Sequence, residues 1–149
     1  MKTKGLLLGF ILMAALLLTA CGKTPAPTTT TTAVVKSVVF AKGLDSSFQP
    51  VDPTTTFLPT DTVRVSVGFN SNPTSGVLAF KWYLDNQLVH EVTLDIAKAA
   101  AGDVVVFNGN SYTGATLFSS EGMPVSTNYR LDLYIDNVKI DEYPFSVAE

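Results

Sequence analysis

The 149 residues include one cysteine and one histidine, so few of the side chains that carry covalent, metal or acid–base chemistry are present. Any zinc site or Ser-His-Asp triad would have to be built around His90. Neither a G-x-S-x-G stretch nor an HExxH helix accompanies it. A strand histidine packed beside an aromatic is the simpler reading. Among the thirteen carboxylates, Glu91 and Glu142 are the pair a carboxylate-dependent hydrolase would use, yet nothing in the sequence sets them in one cleft. Asp85-Asn86 and Asp136-Asn137 lack the ligand spacing of a calcium loop and read as turn formers. Tyr83, Tyr112 and Tyr134 could make an exposed platform for sugar or peptide, with ordinary cross-strand pairing as their other use. The expectation is a non-enzyme with no catalytic residue, no metal and no cofactor.

Cys21 stands apart. It follows Leu18-Thr19-Ala20 at the end of the apolar run Gly5–Ala20, and Lys2 and Lys4 precede that run. A positive n-region and an apolar h-region make a secretory signal. Sixteen residues of helix would span about 24 Å, short of a hydrocarbon core of roughly 30 Å. The Leu-Thr-Ala-Cys segment resembles the lipobox of bacterial lipoproteins. That resemblance implies a palmitate-type lipid on the Cys21 thiol, cleavage before Cys21 and acylation of the new amine. Residues 1–20 would then be signal peptide. The rest would sit outside the cytoplasm, on the membrane through its lipid. Gly22 stands where an inner-membrane retention signal places Asp, which implies the outer membrane if the host has one.

Without Lys2 and Lys4, eight cations oppose thirteen acids from Cys21 onward, a net charge of −5. Such a surface has no electrostatic footprint for nucleic acid and no polybasic patch for anionic lipid. With Cys21 carrying lipid, no thiol remains for a disulfide, a Cys-type zinc site or a nucleophile.

Residues 21–33 contain Gly-Lys-Thr-Pro-Ala-Pro and then five consecutive threonines, a flexible tether with no periodicity to bury. Residues 34–149 suffice for one core and are read as one domain. Val34–Phe40 is a β-branched first strand. Gly43, Pro50, Pro53 and Pro59 exclude a long element over Ala41–Thr60. In Thr62–Phe69 the residues Val63, Val65, Val67 and Phe69 share one face, opposite Thr62, Arg64, Ser66 and Gly68. One face packs and the other is wet, the antiparallel pattern.

In Val77–Leu84 the residues Leu78, Phe80, Trp82 and Leu84 line one side. Asp85-Asn86 then turns the chain into Leu88–Leu94. A three-residue loop with a bulge pairs Trp82 with Leu88 and Leu78 with Val92, keeping more apolar residues on the face of Trp82 than a two-residue turn would. It also turns His90 inward, which is tolerable at a sheet edge. Asp95–Gly102 reads as a helical turn or crossover, Val104–Phe107 as a strand, Asn108–Gly114 as turn and Ala115–Phe118 as a short strand. Tyr129, Leu131, Leu133 and Ile135 form another alternating face. A two-residue turn at Asp136-Asn137 sets Ile135 opposite Val138 and Leu133 opposite Ile140, and the phase shifts at Asp141-Glu142. Pro144 marks an edge or a bulge.

About seven short strands with almost no helix signal predict an all-β protein, an antiparallel sandwich. Trp82 lies fifteen residues after Val67, and Tyr129 lies two before Leu131. With Val67 and Leu131 in place of the strand cysteines, these positions resemble the tryptophan and tyrosine corner of immunoglobulin-like domains without the disulfide. The segment Phe57-x-Pro59-x-Asp61 and the closing Phe145-Ser-Val147 also resemble Ig-like domains of envelope lipoproteins. One loop carries a further resemblance. Asn72-Pro73-Thr74-Ser75-Gly76 is similar to the Asn-Pro-Thr-Thr-Gly loop of chagasin-type cysteine-protease inhibitors, which implies a protease partner. That family's Gly-x-Gly-Gly and Arg-Pro-Trp loops have no counterpart here, and Trp82 stands further from Gly76 than the family's tryptophan does.

The expected function is therefore a lipid-anchored, extracytoplasmic Ig-like module of the cell envelope, binding an envelope protein or glycan or serving structure. A cysteine-protease inhibitor and a carboxylate-dependent hydrolase are the alternatives.

Overall fold

The alternating apolar runs become strands of two facing sheets. A computed structural model of the chain describes residues 32–149. It contains β1 (Val35–Leu44), β2 (Pro50–Pro53), β3 (Thr56–Phe57), β4 (Val63–Phe69), β5 (Val77–Leu84), β6 (Gln87–Asp95), β7 (Val105–Phe107), β8 (Asn110–Leu117), β9 (Ser126–Ile135) and β10 (Val138–Val147). One 3₁₀ turn, Ile96–Lys98, follows β6, and the Asp95 carboxylate accepts from the Ala97 N–H at its start. One sheet runs β2-β1-β4-β8-β7 and the other β3-β10-β9-β5-β6. Seven strands have seven or more residues, and β2, β3 and β7 are short additions to the sheet margins. With β1, β4, β8 and β7 as A, B, E and D, and β5, β6, β9 and β10 as C, C′, F and G, this is the strand order of an immunoglobulin-like sandwich.

Val63, Val65, Val67 and Phe69 on β4 are buried against Leu78, Phe80 and Trp82 of β5 and Leu131 and Leu133 of β9. Val67 and Leu131 fill the space that a disulfide bridges elsewhere in this fold. At one end an aromatic group gathers around Phe145. The Tyr129 ring stacks on it at 5.0 Å, Phe40 tilts against it at 5.2 Å, and Trp82 and Phe57 meet it edge-on at 5.9 Å. The Tyr129 hydroxyl donates to the Pro124 carbonyl at 2.9 Å, five residues upstream. This is the tyrosine corner, and it ties the start of β9 to the preceding loop.

Several local expectations are corrected. The β5–β6 hairpin closes through a two-residue turn, with Asp85 at φ 48° and Asn86 at φ 67°, so Leu84 pairs with Gln87 and Tyr83 with Leu88. A bulge at Val89 then shifts the register, setting Trp82 opposite His90, Phe80 opposite Val92 and Leu78 opposite Leu94. The bulge restores the apolar face that the three-residue loop was expected to provide. His90 does face inward, but at the exposed margin of an edge strand.

The β9–β10 hairpin repeats the device. Asp136 and Asn137 both have positive φ, Ile135 pairs with Val138, and a bulge at Ile140 sets Leu133 opposite Asp141 rather than Ile140. The stretch Asn108–Gly114 is not all turn. Only Asn108-Gly109 bends, with φ 49° and 77°, and β8 begins at Asn110. Gly114 lies within that strand. A Cβ there would stand 2.7 Å from Leu44 Cδ1 and 2.8 Å from the Val65 carbonyl oxygen, so the glycine serves close packing. The second face of β4 is only partly wet, because Ser66 and Gly68 are buried.

Candidate functional site

Cys21 lies outside the described residues, as do the signal segment and the tether through Thr31. The chain is first described at Thr32, which bridges to Ser75. Ala33 is buried and its N–H donates to the Ser75 carbonyl at 3.2 Å. The tether therefore joins the sandwich beside the loop between β4 and β5.

That loop, Asn70–Gly76, is held from four directions. The Asn70 N–H donates to the Val34 carbonyl, and the Ile96 N–H donates to the Gly76 carbonyl, both at 2.9 Å. Ser111 Oγ, on β8, bonds Asn72 Oδ1 at 2.9 Å. Val77 N–H, at the loop's end, donates to Asp136 Oδ1 at 2.9 Å. Pro73 is buried, Asn72 and Thr74 are exposed, and Ser75 and Gly76 are half-buried. Gly76 has φ +120°, a conformation that β-carbon side chains rarely adopt. Of the five candidate residues, Asn72 and Thr74 thus present the most surface, and the bond to Ser111 fixes the amide of Asn72.

The outer face of the β10-β9-β5-β6 sheet is a grid of charges and tyrosines. Glu91, Lys81, Asp132 and Glu142 lie in register across four strands. Lys139 joins the row by bonding Asp132 Oδ2 and Glu142 Oε2, both at 2.9 Å. The Glu142 and Asp132 carboxylates hold the Lys139 ammonium well above the usual lysine range. Asp132 is itself buried, and Arg130 Nε reaches its other oxygen at 3.0 Å. The Arg130 guanidinium lies 4.3 Å from the Tyr83 ring centroid, and Lys81 Nζ lies 5.0 Å from that of Tyr134.

This geometry separates the groups that chemistry would need together. Glu91 and Glu142 stand three strand spacings apart, about 14 Å, beyond the reach of a glycosidase-type pair at roughly 5–9.5 Å. Tyr83 and Tyr134 share the face, with the charged row between them and a cation over each ring. Tyr112 is on β8 in the other sheet, so the three tyrosines do not form one platform. His90 is exposed on β6. Among the described residues, no three His, Cys, Asp or Glu side chains group so as to hold a metal ion.

Sequence reasoning missed two features. One is the Asp132 cluster, signalled by an acid at a register position flanked by Arg130 and Lys139. The other is the long open margin of β6, which requires the strand order. No family model matches the chain, and no curated protein is significantly similar to it.

Proposed function

We propose that this chain is a lipid-anchored, extracytoplasmic Ig-like module that binds a partner, or serves structure, in the cell envelope. The observation that carries the reading is Leu18-Thr19-Ala20-Cys21, closing an apolar run after two lysines, with no other thiol in the chain. The arrangement of the domain is compatible with it. The chain enters the sandwich at Ala33, at the end that carries the Asn70–Gly76 loop and the Asp136-Asn137 turn. Metabolic labelling with a palmitate analogue tests the reading. The wild type should take up label, and Cys21→Ser should take up none and stay unprocessed. Equal label on both would sink the lipoprotein assignment.

The fixed shape of the Asn72–Gly76 loop favours a second reading, chagasin-like inhibition of a cysteine protease. A preset loop loses little conformational entropy on docking. Inhibition of papain that Thr74→Ala relieves would establish that function. Under the envelope reading, no inhibition occurs at micromolar protein.

A further inference from the structure

A sheet margin invites another strand unless its amides are occupied, shortened or blocked. Several margins of this sandwich are, and β1, which β2 covers only from Ala41 to Leu44, carries Lys36 on its uncovered stretch. β2 is four residues with a proline at each end, and β7 is three residues. β10 is covered by β3 only at Ser146 and Val147, yet its margin is closed back to Glu142 as well. Alternate amides point to the same side of a strand. Ser146 N–H bonds the Thr55 carbonyl at 2.9 Å, Pro144 has no N–H, and Glu142 N–H is taken by the Asp141 carboxylate at 2.8 Å.

β6 differs. It has nine residues, with no proline, glycine or lysine, and among the described residues β5 is its only strand neighbour. Its bulge is confined to Val89, leaving His90–Asp95 regular. Two clefts adjoin it where the sheets part. One, of about 440 Å³, lies between Val89, Leu84, Phe118 and Met123. The other, of about 400 Å³, lies between Val92, Leu94, Phe80 and Phe48. Phe118 and Val89 are exposed, so the first cleft has an apolar rim.

We propose that β6 receives an extended peptide segment of a partner protein, added as a sixth strand to its five-stranded sheet. The clefts take apolar side chains at every second position of that segment. Glu91, which faces outward and is only loosely met by Lys81 at 3.6 Å, and Asp95, which Lys98 meets at 2.7 Å, are the only charges on β6 itself, in a chain of net −5 from Cys21 onward. The intervening positions of the partner therefore carry Lys or Arg. A second copy of this chain fits poorly. Antiparallel self-pairing centred on Glu91 sets two carboxylates face to face. Pairing centred on Val92 loses register at the Val89 bulge. The inference rests on the chain being a binding module, and names the class of its partner.

The test uses the full chain in detergent micelles and a synthetic peptide of alternating lysine and valine, against a peptide of the same composition with its lysines and valines in separate blocks. The alternating peptide should bind about tenfold or more tightly than the blocked one and slow amide hydrogen exchange within His90–Asp95. Thr93→Lys, at an exposed outward position, should weaken that binding about tenfold with unchanged thermal unfolding. Equal affinity for the two peptides, protection elsewhere, or indifference to Thr93→Lys would overturn the proposal. So would a dimer of the free chain in sedimentation with His90–Asp95 already protected, since the occupant would then be a second copy. Binding is read on the polypeptide, so failure here is distinct from failure of the lipid-labelling test.

Discussion

Trp82 offers an unusual comparison, because its burial and its polar atom act in opposite directions. The side chain is fully buried, edge-on to Phe145 and tilted against Phe40 at 6.2 Å, while its Nε1–H has no hydrogen-bond partner. Truncation to alanine removes all the packing and should cost about 3–5 kcal/mol. Phenylalanine keeps a ring against Phe145 and leaves a gap of roughly 40 Å³, worth about 1 kcal/mol at ~24 cal/mol per Å³. It also removes the unpaired N–H, whose burial costs about 1–3 kcal/mol. The two contributions oppose each other, so Trp82→Phe should lie between the wild-type stability and about 2 kcal/mol above it. Urea unfolding of the domain from Thr32 measures this. At a slope of about 1–3 kcal/mol per molar, Trp82→Ala should lower the midpoint by at least about 1 M. Trp82 is the only tryptophan, so far-UV circular dichroism must follow the transition. A Trp82→Phe loss approaching that of alanine, with unchanged slope, would refute the balance and mean that the indole N–H contributes favourably.

Two further outcomes concern titrating groups. Tyr129→Phe should cost about 1 kcal/mol by removing the bond to the Pro124 carbonyl. Burial, and then the Asp85 charge, push the Tyr129 phenol above its usual range. Its contribution is therefore complete below about pH 10 and is lost as pH rises through the folded value. The phenylalanine variant should lose less stability on the alkaline side in a pH series of melts, and an identical alkaline decline would refute that assignment. At acid pH the relevant group is Asp61, held below the usual carboxylate range by Lys42 at 2.7 Å and by the Leu58 N–H. Its stabilisation is present above about pH 4 and is lost as pH falls through the lower folded value. Lys42→Ala should flatten that acid decline while changing neutral stability by no more than about 1 kcal/mol, as for an exposed pair. An unaltered acid limb would show that the pair does not titrate as described.

The parts of the fold that were legible in the sequence were those where one apolar face dominates. Val63, Val65, Val67 and Phe69 alternate because β4 lies in the middle of its sheet, and Leu78, Phe80 and Trp82 because β5 is flanked by β9 and β6 and packs one face on the core. Tyr129 was legible through its spacing from Leu131, and its hydroxyl makes the expected kind of backbone bond. The hairpin registers were not legible. A bulge adds one residue without a compositional mark, and Val89 and Ile140 look like any other strand residues. The extent of β8 was hidden for another reason. Gly109 and Gly114 carry the same letter, but one supplies a positive φ and the other makes room for Leu44 and the Val65 carbonyl. For the candidate sites, the sequence could name the Asn72–Gly76 loop but not the groups that anchor it and its flanks, Ala33, Val34, Ile96, Ser111 and Asp136. Nor could it show that Glu91 and Glu142 fall on strands separated by β5 and β9.

The contrast between the two margins of one sheet bears on valency. Aggregation through edges is a polymerisation, and each unit must offer two competent ends for it to propagate. Here the β10 margin is spent from Glu142 to Ser146, by Asp141 on its neighbour's amide, by the missing donor of Pro144 and by the cover over Ser146. Of the two margins of this sheet, that of β6 stays competent among the described residues. A molecule of this kind is a chain terminator. Through this sheet it can be joined once by a strand, and the joined sheet does not grow past the blocked stretch of β10, however concentrated the protein.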